Sequence, residues 1–227
     1  MPKSSRSDFS RVEALKTVKV FQLENQALKS QINSVNTMVK ENSALLDKQE
    51  QYMRHDCLEI KGIPLSQDED ARQMAVQVAD LLDVGMGLEN ISISHRLPKV
   101  PPWTDSSGTV HSPSPSVIAK FVRRDVREKF YRARYKLKNK TTRDLGLASD
   151  EGSNIYIAES LTQARKKLFK SASKVKKDLK FNFISTTNGR IFLKRNRDSR
   201  SIPITCESDL GKLKASSSGQ GQGQTGV

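Results

Sequence analysis

The sequence predicts an α+β protein: a long N-terminal coiled-coil helix, then a βαββαβ domain, then a small basic α+β C-terminal domain. Three observations carry this. Apolar residues recur every three or four positions through a polar stretch, and no Pro or Gly falls between Lys3 and Lys61. Short alternating segments bounded by turn residues follow it. Positive charge then gathers in the downstream half. The implied divisions are a disordered start (1–9), a coiled coil (10–55), the first folded domain (56–159), a basic domain (160–214) and a disordered tail (215–227).

The helix is expected to begin at Ser10, where Glu13 three residues on completes a capping box. With Ile32 at heptad position a, the other a residues are Arg11, Val18, Asn25, Val39, Leu46 and Met53. The d residues are Ala14, Phe21, Leu28, Val35, Asn42 and Gln49. A 3.5-residue period held this long is a self-association seam, formed by Val18, Phe21, Asn25, Leu28, Ile32, Val35, Val39 and Leu46. β-Branched a residues with Leu28 at d favour a parallel dimer, and a buried Asn25 can set its register. Asn42 at d keeps a trimer open. The competing reading is one long helix packed on the folded part, which a wider apolar stripe would suit better.

In the first domain, Leu58, Ile60 and Ile63 alternate and are bounded by Gly62 and Pro64, which indicates a strand. Asp68, Glu69 and Asp70 suit the first turn of a helix. Its stripe is Met74, Val78, Leu81 and Leu82, ended by Gly85 and Gly87. "ENISISHRL" indicates a second strand; residues 98–115 form a Pro/Ser-rich loop expected to be mobile; "SVIAKFV" is a third strand. A second helix from Arg123 turns Val126, Phe130, Ala133 and Leu137 inward, and "NIYIAE" is the fourth strand. This order is shared by RNA-recognition folds, whose sheets stack bases on aromatic side chains. Here strand one carries Glu59 where an aromatic is expected, and strand three offers Phe121, itself a core candidate.

In the last domain, Ser160 and Gln163 suggest a capping box opening a helix with Ala164, Leu168, Ala172, Val175 and Leu179 on one face. "FNFISTTNGRIFLKR" is a hairpin whose Asn188-Gly189 pair suits the positive φ of a tight turn. Ile202, Ile204 and "ESDLGKL" complete the fold.

Net charge is +14 over 227 residues, which points to polyanions. Residues 120–143 hold eleven Lys/Arg against Asp125 and Glu128, and residues 160–200 hold thirteen against Asp178 and Asp198. The residues expected to meet phosphate are Arg123, Arg124, Arg127, Arg132, Arg134, Lys136 and Lys138 on the first block. Arg165, Lys166, Lys167, Lys170, Arg190 and Lys194 supply the second. Such clusters neutralise phosphates without reading sequence. The competing reading for each is a solvated helix face.

Enzymatic chemistry is not expected. His55, His95 and His111 are dispersed, no phosphate-binding or nucleophile-elbow motif occurs, and His55, Cys57 and Cys206 lack the close pairs of a zinc site. No cofactor is implied. Two distant cysteines suggest a reducing, intracellular setting. No apolar run is long enough to span a bilayer, and residues 161–180 carry too few bulky anchors for a membrane-surface helix.

The order of parts resembles the first-reading-frame proteins of LINE-type non-LTR retrotransposons and the related few-polyhedra (FP) proteins of baculoviruses. The matching strings are "RHDCLEIKGIP", "ISISHRLPK", "SVIAKFVRRDVREKFYRAR" and "NIYIAESLTQARKKLF". "NGRIFLKRNRDSRSIPITCESDL" is similar to the FP-type C-terminal domain. The resemblance implies a homo-oligomeric rod, an RNA-recognition-like domain poor in stacking aromatics, and a basic C-terminal domain that together coat RNA and act as a chaperone. By motif, Arg123, Arg124, Arg127 and Arg165 are implied phosphate contacts. The long 98–115 loop and the lack of a zinc knuckle depart from the pattern.

The expected function is therefore an oligomeric, sequence-tolerant single-stranded RNA- or DNA-binding protein in a cytoplasmic ribonucleoprotein, with nuclear entry through "KVKK" as an alternative. The rival is an FP-type structural adaptor whose coiled coil and basic face bind proteins.

Overall fold

Helix α1 (Ser5–Met53) is 49 residues long, about 73 Å at 1.5 Å per residue. It is already helical at Ser5, so Ser10 lies inside it and is not its N-cap, and residues 5–9 are not a disordered start. The computed structural model describes residues 5–66, 69–99, 101–104, 107–147 and 152–218. The chain divides into two units, Met1–Gln49 and Glu50–Val227. In the first unit, Val18, Phe21, Leu28, Ile32, Val35, Val39 and Leu46 each leave between 50% and 65% of their surface in solvent. The Asn25 amide donates to the Phe21 carbonyl at 2.9 Å.

The second unit holds two antiparallel bodies of sheet and helix. In the first, β1 (Cys57–Lys61), α2 (Ala71–Leu81), β2 (Ile91–Arg96), β3 (Trp103–Thr104), β4 (Val110–His111), β5 (Val117–Phe121), α3 (Arg124–Ala133) and β6 (Tyr156–Glu159) follow in order. The main sheet runs β2-β5-β1-β6, all neighbours antiparallel. Alternation assigns the faces. Leu58 and Ile60 are fully buried against Met74, Val78 and Phe130, so α2 and α3 cover their face. Cys57 and Glu59 belong to the other.

Local chemistry sets the ends. Asp70 caps α2 by accepting the Arg72 and Gln73 amides at 2.8 and 3.3 Å. The helix stops at Leu82, followed by Asp83 at φ 51°, before either expected glycine. Gly62 has φ +90°, and a Cβ there would meet the Asn154 carbonyl oxygen at 2.0 Å, so only glycine fits. α3 tightens into a 3-10 segment at Arg134–Asn139, which carries the buried Leu137. The 98–115 segment contains the β3–β4 ladder, so it is not a structureless loop. Arg96 ties its ends down: the guanidinium pairs with Glu69 at 2.6 Å and donates to the carbonyls of Ile63, Pro64 and Pro115. The bond from Arg96 holds the Glu69 carboxyl below its ordinary value.

The second body contains α4 (Gln163–Asp178), β7 (Phe183–Thr187), β8 (Arg190–Lys194), β9 (Ile202–Ile204) and α5 (Glu207–Ser218). Thr162, not Ser160, caps α4, its hydroxyl accepting the Arg165 amide at 3.3 Å. Ala172 and Val175 are buried, Leu168 and Leu179 partly so, and Ala164 is exposed rather than on the inner face. Asn188 and Gly189 take φ 51° and 71°, the conformation a tight hairpin turn requires. α5 continues to Ser218, so residues 215–218 are helical and not a disordered tail; residues 219–227 lie outside the described ones. No described helix is long and apolar enough to cross a membrane.

Candidate nucleic-acid interface

A cleft of about 550 Å³ separates the two bodies of the second unit. One wall comes from α3 and its exit, with Glu128, Tyr131, Arg132 and Arg134. The other is the edge strand β7 and the hairpin turn, with Ser185, Thr186, Thr187 and Asn188. Glu159, from the end of β6, also lines it.

The walls are held together by an almost dry carboxylate. Glu159 is 4% exposed; it accepts the amides of Asn188 at 2.8 Å and Gly189 at 2.9 Å, and Arg127 donates to it at 2.9 Å. Burial alone pushes a carboxyl up. The Gly189 amide, the Arg127 guanidinium and the Asn188 amide outweigh it and hold Glu159 below its ordinary value. Gln51 completes the joint: it is 2% exposed, donates to the Ser160 carbonyl at 3.0 Å and accepts the Thr162 amide at 3.1 Å. Tyr131 reaches across too, its hydroxyl 3.4 Å from the Thr186 carbonyl oxygen.

Electrostatics sort the basic residues into three groups. Arg127 is a correction: at 4% exposure, paired with Glu159 and Glu128, it cannot reach a phosphate without leaving a charge unpaired in the interior. Arg165 donates to the Gly189 carbonyl at 2.7 Å, and Lys166 to Glu59 at 2.7 Å, so both brace the second body. Lys136 reaches the Leu82 carbonyl and Asp83 at the end of α2, away from the cleft walls. Arg124 pairs with Asp56 at 2.8 Å and lies over the Tyr52 ring, and Arg123 forks onto Asp125.

The second group borders the cleft. Arg132 remains 77% exposed while bonded to Glu128 at 2.9 Å. Arg134 lies 3.9 Å over the Tyr131 ring and donates to the Tyr131 carbonyl, which aims its guanidinium along the same wall. Outside the cleft lining, Arg190 is exposed beside the hairpin turn, and Lys194, at the far end of β8, donates to the Arg197 carbonyl. The third group is a stripe along the outer face of α4: Lys167 and Lys170 are exposed, as are Lys174 and Lys177 one and two turns further on. Lys138 is also exposed.

The strand-one position explains its missing aromatic. Glu59 is 2% exposed and holds Lys166 at 2.7 Å and the Ser160 hydroxyl at 3.4 Å, so it anchors the start of α4. Phe121 is core, 5.4 Å from the Phe130 ring. Tyr156, opposite Lys61 and 60% exposed, is an aromatic on the open face that the reading of the strands passed over. The cleft-lining hydroxyls and the Glu159 latch were also missed. One signal was available: in "YIAE", alternation places a glutamate on the same face as the core Ile157, so it must find a partner.

Among the described residues no three His, Cys, Asp or Glu side chains group as metal ligands. Cys57 is buried and Cys206 exposed, both as free thiols. No curated protein matches the chain. Residues 162–214, which span α4, the three-stranded sheet and most of α5, match the family described as Baculovirus FP protein domain 2.

Proposed function

We propose that the chain is an oligomeric, sequence-tolerant, non-enzymatic protein that binds single-stranded RNA or DNA, with the cleft as its central site. One observation carries the reading: Arg132 and Arg134 border a groove whose facing strand supplies Ser185, Thr187 and backbone groups. Arg132 and Arg134 on one wall, beside the Glu128 that bonds Arg132, face neutral donors on the other; this suits a phosphate backbone, and neither side selects bases. The path β6-β1-β5-β2, with two helices on one face, supports describing the first body as RNA-recognition-like. Bodies gathered by the α1 seam, as a dimer or trimer, would bind a long strand at several points at once.

Fluorescence anisotropy with a single-stranded oligonucleotide across a salt series tests this. Six neutralised phosphates give a log–log slope of roughly −4. Arg132→Ala with Arg134→Ala should shrink that slope by about 1.4 and weaken all sequences alike, because each lost phosphate contact on a single strand removes about 0.7. Micromolar-or-weaker binding that ignores salt would sink the reading.

The FP-domain match favours a second reading, an adaptor whose seam and basic face take protein partners. Unlabelled RNA separates the two: a partner held through the basic face of a nucleic-acid binder is displaced, and an adaptor's is not.

A further inference from the structure

We propose that the outer face of the β7-β8-β9 sheet is a stacking platform for unpaired bases, continuous with the cleft; this rests on the nucleic-acid reading above. The pairing register defines the face. Phe183 lies opposite Lys194, Ser185 opposite Phe192, and Thr187 opposite Arg190. Directly opposed residues share a face, so these six form one surface. The intervening residues, Ile191 and Leu193 with Ile204 on β9, are 0–3% exposed and pack with Ala172 and Val175 of α4 and Leu210 of α5. Both helices therefore lie on the opposite side.

The composition of the outer face is not that of an ordinary solvated sheet. Phe183 is 43% exposed and Phe192 half-buried. Register makes them diagonal neighbours on adjacent strands, on the order of 7–8 Å apart. Lone exposed phenylalanines are common and need no explanation. Two adjoining ring positions with a cation beyond each, Lys194 opposite one and Arg190 along the other's strand, form the pattern that binds single strands: rings for base faces, ammonium and guanidinium for the backbone. Pro203, exposed and opposite Phe192, extends the apolar floor.

Charge and continuity select a nucleic acid as the occupant. Ser185 and Thr187 belong to this face and also line the cleft opposite Arg132 and Arg134. A strand seated with its bases on the rings therefore has cationic groups at both borders. The main sheet of the first body cannot do this at its centre, where Glu59 is buried under Lys166. Stacking has moved to the C-terminal sheet.

The test uses the full chain and two matched oligonucleotides, one with bases and one abasic along its middle. Phe183→Leu with Phe192→Leu keeps apolar volume but removes the rings; Phe183→Ala alone guards against misfolding of the double variant. The double variant should bind the base-containing strand about 5- to 150-fold more weakly per stacked base lost, with the salt slope unchanged. It should bind the abasic strand as wild type does, and 2-aminopurine placed mid-strand should lose the quenching seen with wild type. Phe183→Tyr should retain binding. The platform is overturned if the ring-less variants match wild type on the base-containing strand, or lose equally on both strands, while wild type keeps its steep salt dependence. If wild type binds neither strand, the nucleic-acid reading and the platform both fall.

Discussion

Glu159→Ala should lower the stability of the second unit by about 3–5 kcal/mol, the range for removing one partner of a buried ion pair. The carboxylate accepts three hydrogen bonds, from Arg127 and from the Asn188 and Gly189 amides. Among the described residues, alanine leaves the Arg127 guanidinium at 4% exposure with only the half-exposed Glu128 as counter-charge, and its Nε already lacks a partner there. It also strands the two turn amides. Urea unfolding measures the loss, and a change below 1 kcal/mol would show that water enters and replaces the carboxylate.

The pair need not be a net stabiliser for this to hold. Arg127→Met with Glu159→Leu removes both charges together, so its loss should fall to about 1–3 kcal/mol, the desolvation left on the buried Gly189 amide. Acid gives a third check. The Glu159 carboxyl is held below its ordinary value, so its contribution is complete above that value and is lost as pH falls through the lower folded-state one. Wild type should therefore lose more stability than Glu159→Gln on acidification below about pH 4.3, the ordinary glutamate value. Parallel curves for the two proteins would contradict the assignment.

Ile32→Asp should convert the full-length protein to monomer and weaken binding to a long single strand by about 10²- to 10⁴-fold, the usual gain from linked sites. Ile32 occupies an a position at the centre of the seam and is 58% exposed in the single chain. In a coiled coil, aspartates from each chain would meet there, desolvated and like-charged. A short oligonucleotide that fills one body should bind unchanged, since no contact in the second unit is altered. Leu23→Asp is the control: Leu23 is 67% exposed but lies at f, outside the seam. Light scattering reads the oligomeric state. If both substitutions dissociate the protein, or neither does, the heptad assignment fails.

What the residues determine unaided are the features that physics makes local. Period and the absence of Pro or Gly dictate α1; alternation dictates the strands; Asn188-Gly189 dictates the hairpin turn; one-signed runs dictate a basic surface. Each depends on neighbours a few positions away. Helix starts were less legible, because Ser10 and Ser160 satisfy the capping pattern as well as the true boundary does. Only the tertiary structure assigned the charges their work. Arg127, Arg132 and Arg134 lie within eight positions of one another, yet one is walled in by Glu159 and the others border a cleft. Their fates differ because Glu159, the hairpin turn and Gln51 arrive from distant parts of the chain, and burial plus a carboxylate at about 3 Å turns a candidate ligand contact into a structural pin. The diagonal adjacency of Phe183 and Phe192 across strands arises the same way: nine positions apart in sequence, they become neighbours through a register set by the turn.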